Sequence, residues 1–239
     1  MTTQQALTRR ELIIAAGAAG AAGLLQRPAR SECDNAADAV MSAEDALARL
    51  KEGNARFASG TPRYDRVSRA WRESLVGGQQ PFAVILGCAD SRVPVELVFD
   101  QGFGDLFVIR NAGNVVMDDV AGSIEYAGLH LGSKLIVVMG HEGCGAVTAA
   151  LASSEERANE PPELQHVLGL IDPAIEHLDP DKQGVIEEAV EANVRWTVSG
   201  AQRLMRERNH PATRDITVVG AVYRLSDGTV EFLEETANE

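Results

Sequence analysis

Phe82-Ala83-Val84-Ile85-Leu86-Gly87 is a short, uninterrupted apolar run that ends in Cys88-Ala89-Asp90-Ser91-Arg92-Val93-Pro94. A run of that length without polar alternation has the form of a strand buried on both faces of a parallel sheet. The same form recurs at Leu106–Arg110, Leu135–Met139 and Ile216–Val222, and helical patterning fills the intervals at 94–100, 119–131, 145–152, 162–177 and 185–207. Strands alternating with helices predict an α/β fold with a mostly parallel central β-sheet flanked by helices. After the fourth strand, Asp227-Gly228 supplies a hairpin turn into Thr229–Leu233, an antiparallel edge strand at the C-terminus.

Upstream, Ser42-Ala43-Glu44-Asp45 opens like a capping box, and Ala46, Leu47, Leu50, Asn54 and Phe57 follow at helical spacing until Gly60-Thr61-Pro62. The spacing predicts an N-terminal helical arm over 43–58, with a second short helix or irregular arm across Arg63–Gly78. Glu155–Glu163 is polar and proline-containing and reads as a surface loop. With no internal repeat and no low-complexity linker, residues 33–239 read as a single domain.

The 239-residue chain has a formal net charge of −13 and a pI near 4.8. That field repels phosphate backbones and excludes nucleic acid as a partner. Three cysteines, at 33, 88 and 144, are too few and too scattered for a disulfide framework.

Residues 1–32 differ from the rest. A polar opening leads to Thr8-Arg9-Arg10-Glu11-Leu12-Ile13, then an Ala/Gly/Leu run to Leu25, then Gln26-Arg27-Pro28-Ala29-Arg30. A membrane-spanning helix needs roughly 20 apolar residues, and this run is shorter, so it suits the core of a removable signal. The segment resembles a twin-arginine export signal. That implies transient engagement of the twin-arginine export machinery and a periplasmic or otherwise exported bacterial protein. The cut falls near Pro28–Asp34, and Cys33 is expected to be a free or oxidised tail thiol.

In an open α/β sheet, reactive groups gather beyond the carboxyl ends of the strands. The first strand runs into Cys88, Asp90 and Arg92, and the third into His141-Glu142-Gly143-Cys144-Gly145. Cys88, His141 and Cys144 form a Cys₂His set, and three N/S ligands with a position left over is the catalytic zinc pattern. Each cysteine taken singly is equally a small buried hydrophobe, and a thiol-redox role is disfavoured because neither sits in C-x-x-C. Asp90 and Arg92 are either a surface ion pair or, beside Cys88, a carboxylate preorganised by a forked guanidinium. His130, His166, His177 and His210 are assigned no metal.

Taken together, C-A-D-S-R and H-E-G-C-G resemble the β-carbonic anhydrase signature C-x-D-x-R…H-x-x-C. The resemblance runs from Ala43 to Phe232 and includes Phe107–Asn114 and Ser123–Ala127. It implies one Zn²⁺ per chain, reversible hydration of CO₂ to bicarbonate and a proton, and a homodimer or higher even oligomer. It also implies a plant-like pocket in which Gln79 donates to substrate while Phe107 and Tyr126 line an apolar CO₂ site, partly from the partner subunit. Ile85 stands where the bicarbonate-regulated subtype carries tryptophan. The alternatives are hydrolysis of carbonyl sulfide or carbon disulfide on the same scaffold, or a zinc-binding module without turnover.

Overall fold

The computed structural model describes residues 40–208, 210, 213 and 215–234. The segment read as an export signal, and Cys33, lie outside them. Five strands form one sheet: β1 (Ala83–Cys88), β2 (Leu106–Asn111), β3 (Leu135–His141), β4 (Thr217–Tyr223) and β5 (Val230–Phe232), in the order β2-β1-β3-β4-β5. The first four run parallel, and β5 pairs antiparallel with β4 as the expected edge strand.

Every residue of β1 and β3 is buried, which is why neither shows polar alternation. Alternate side chains feed two cores. On one face Val84, Leu86, Ile136 and Val138 meet α4 (Asp118–His130), α5 (Gly145–Ala150), α7 (Pro162–Ile175) and α8 (Val185–Arg208) through Ile124, Val147, Ile171 and Val194. On the other, Ile85, Leu135 and Val137 meet Leu50 of α1 (Ala43–Ala58) and Phe99 beyond the short α3 (Val95–Val98). Each fully buried side chain of this size contributes about 1.5–3 kcal/mol. Gly140 lets α8 sit close on β3, since a Cβ there would come within 2.6 Å of Val194 Cγ2.

The N-terminal arm is a helix from Ala43, capped by Ser42 Oγ accepting from the Asp45 N–H at 3.1 Å. Its continuation is a short helix α2 (Arg69–Ser74) and a 3₁₀ turn at Leu75–Gly77, neither with a buried residue. The expected loop at Glu155–Glu163 is partly helical. Ser153 and Glu156 form a reciprocal capping box that nucleates α6 (Ser154–Arg157), a pairing the proline content obscured. Among the described residues, no helix is long and apolar enough to cross a membrane.

The strand order positions the site. From β1 the chain goes outward to β2, then crosses back to β3 on the other side of β1. The loops leaving the carboxyl ends of β1 and β3 therefore diverge, opening a crevice at the switch point. Cys88 is the last residue of one strand and His141 the last of the other.

Candidate metal centre

The ligating atoms of Cys88, His141 and Cys144 all lie within 4.8 Å of one another, and all three residues are buried. The two sulfurs are 3.9 Å apart. His141 Nδ1 lies 2.9 Å from the Glu142 carbonyl oxygen. A carbonyl can only accept, so Nδ1 carries the proton and Nε2 presents its lone pair. That Nε2 is buried without a hydrogen-bond partner. A buried orphan nitrogen beside two sulfurs is a poor place for nothing, and soft thiolate and imidazole donors suit Zn²⁺. The residues fit the ion.

Between the ligands the chain must turn sharply. Gly143 takes φ 62°, and Cys144 then occupies the N-cap of α5. The thiols differ in acidity. The hydrogen bond shared with Cys144 pulls the Cys88 thiol down. The same shared bond, with burial adding, pushes Cys144 up.

Asp90 reaches the same point. Arg92 Nε donates to its Oδ1 at 2.9 Å and Nη2 to its Oδ2 at 2.8 Å, while the Arg92 N–H also donates to Oδ1 at 2.9 Å. Oδ2 lies 3.8 Å from His141 Nε2. The bonds from Arg92, chiefly the guanidinium fork, hold the Asp90 carboxyl well below the usual carboxylate range. Arg92 Nη2 also reaches the Gly143 carbonyl at 3.3 Å, tying this loop to the His141–Cys144 turn.

The remaining predicted site residues lie elsewhere in the chain. Gln79 is on the exposed segment before β1, and the strand between it and Cys88 spans about 20 Å. Phe107 pairs with Val84, whereas Cys88 pairs with Asn111, which puts Phe107 about 13 Å down the strand. Its ring centroid lies 6.2 Å from that of Tyr126, which is 48% exposed and 5.2 Å from the His130 ring. Within one chain these three do not line the site.

One functional residue escaped the sequence reading. Arg110 donates from Nε to the Cys88 carbonyl at 2.9 Å and from Nη2 to the Asp90 carbonyl at 2.6 Å, holding the turn that carries both. Its signal was available: a guanidinium closing an otherwise apolar strand needs acceptors at that strand's end.

A family model described as carbonic anhydrase matches residues 83–230. "Carbonic anhydrase 2" of Mycobacterium tuberculosis is 40% identical over 192 residues, covering 79% of this chain and 92% of that protein. A carbonic anhydrase of Mycolicibacterium smegmatis is 41% identical over 185 residues, covering 76% and 89%. Among solved structures, a Coccomyxa β-carbonic anhydrase in complex with acetazolamide superposes with a TM-score of 0.59 at 28% identity, covering 78% of this chain and 86% of that one.

Proposed function

This chain belongs to the carbonic anhydrase family, and on that premise we propose how its own residues carry out the reversible hydration of CO₂ to bicarbonate and a proton. The observation that carries the reading is the buried Cys88–His141–Cys144 cluster with the forked Asp90 carboxylate at its edge. Cys88 Sγ, His141 Nε2 and Cys144 Sγ would hold one Zn²⁺, and the ion supplies Lewis-acid activation of water at neutral pH. Asp90 accepts a hydrogen bond from the nucleophile and points its lone pair outward. Arg92 keeps that carboxylate ionised and aimed.

The pocket is of the plant-like subtype. Ile85 is fully buried in the sheet core, so the residue at the tryptophan position of the bicarbonate-regulated subtype is committed to packing. Gln79, Phe107 and Tyr126 serve the site of a partner subunit. Support comes from β2, whose outer edge is unpaired among the described residues and carries half-buried Leu106, Phe107, Val108 and Ile109, with exposed Tyr126 beside Phe107 and exposed Phe103 just before the strand. An apolar edge of that kind invites pairing with a second copy. Residues 1–32 direct the folded chain to the twin-arginine export machinery and the periplasm.

The deciding experiment is stopped-flow CO₂ hydration by the purified, zinc-loaded protein, with carbonyl sulfide as competing substrate. Turnover of CO₂ with a preference over carbonyl sulfide is expected. Zinc at one per chain with no hydration would reduce the protein to a binding module.

A further inference from the structure

His141 is fully buried, yet its proton-bearing Nδ1 is satisfied by a backbone carbonyl in a turn that passes through Gly143 at positive φ. The orientation of the ring is therefore only as firm as the Glu142 peptide. The residue that carries this carbonyl is held from outside the turn. The Glu142 N–H donates to the Tyr223 carbonyl at 2.9 Å, extending the β3–β4 pairing by one residue. Its carboxylate Oε2 accepts from the Ser226 N–H at 3.0 Å, in the hairpin between β4 and β5.

The hairpin is itself anchored. Asn54 of α1, 6% exposed, donates from Nδ2 to the Gly228 carbonyl at 2.9 Å and to the Val98 carbonyl at 3.1 Å, and its Oδ1 accepts from the Val230 N–H at 2.8 Å. Asp227 Oδ1 closes the turn by accepting from the Thr229 N–H at 2.9 Å and hydroxyl at 2.7 Å. Hydrogen bonds thus tie the N-terminal helix to the hairpin and the hairpin to Glu142, the residue whose carbonyl seats the His141 ring.

We propose that Glu142 is a positioning residue for the hydration reaction, its side-chain hydrogen bond to the hairpin steadying the backbone carbonyl that sets the tautomer and direction of His141. The proposal rests on the reading that His141 is a zinc ligand. Outer partners of a metal-bound imidazole act in this way, setting which nitrogen faces the ion and how well it is aimed. What matters in Glu142 is an acceptor oxygen at that distance, and glutamine supplies one as well.

The test compares Glu142→Ala and Glu142→Gln with the parent protein, using zinc alone against a chromophoric chelator and the visible spectrum of the cobalt-substituted forms. Glu142→Ala should weaken zinc binding by about 10–100-fold and alter the cobalt bands, while Glu142→Gln stays within a few-fold with parental bands. Zinc affinity and cobalt bands unchanged in Glu142→Ala would overturn the proposal. So would equal weakening in both variants, which would make charge rather than the hydrogen bond decisive. If the parent protein binds no zinc, it is the metal assignment that fails.

Discussion

At the scale of single residues, the clearest test of the reading is Asp90. Its depressed carboxyl is ionised above the folded value, so across the neutral range it is already an acceptor and imposes no titration of its own on the rate. Asp90→Asn keeps the size but replaces one acceptor oxygen with a donor facing Arg92. Hydration rate should fall by about 100-fold or more while zinc content, read by atomic absorption, stays near that of the parent. Retained activity would show that the dyad is an ion pair and nothing else. Cys88, Asp90, Arg92, His141 and Cys144 were legible in the sequence because each cluster is contiguous and sits where an apolar run stops. Arg110 could be suspected only from its place at the end of an apolar run, and Glu142 not at all, because each bonds backbone groups, Arg110 to carbonyls and Glu142 to an N–H, which residue types do not announce. Gln79, Phe107 and Tyr126 came from resemblance, and one chain brings none of them to the ligands.

Element by element, the apolar runs located four parallel strands to within a residue or two; in β1 and β3, burial on both faces leaves no polar position to confuse the pattern. The pattern misread α6, where local capping outweighed composition. It also could not tell an interior strand from an edge. β2 reads in sequence like β1 and β3, yet it lies at the margin of the sheet with its outer side bare. That contradiction between composition and position is the physical argument for a second copy along β2. Tyr126→Glu combined with Val76→Asp alters two side chains that are 48% and 87% exposed in the single chain. The folded subunit should tolerate both. Sedimentation should shift from dimer to monomer, with zinc retained and hydration lost. A parent protein that already sediments as a monomer would remove the shared-pocket reading.

For the molecule as a whole, the expected α/β architecture and C-terminal antiparallel edge are present, and the strand order supplies what the sequence lacked: which carboxyl ends adjoin. The proposed export of the chain is checked by replacing Arg9 and Arg10 with lysine and fractionating the cells. The protein should be stranded in the cytoplasm, and undiminished periplasmic recovery would show that residues 1–32 serve another purpose.

The adjacency of β1 and β3 also fixes when in the chain's life the metal can enter. Between Cys88 and His141 the polypeptide travels out through β2 and α4 before returning. Closing a loop of that size in an unfolded chain costs about 3–4 kcal/mol of entropy, so the ligands have no standing concentration near one another until the parallel pairing exists. The ion is a latecomer that recognises finished topology and stabilises it by mass action, without guiding the chain there. On the proposed zinc reading, loading therefore cannot begin before folding has brought β1 and β3 together. If the chain is exported already folded, as proposed, its ligands are assembled before it crosses the membrane, and the cytoplasm is the first place where it can meet the ion.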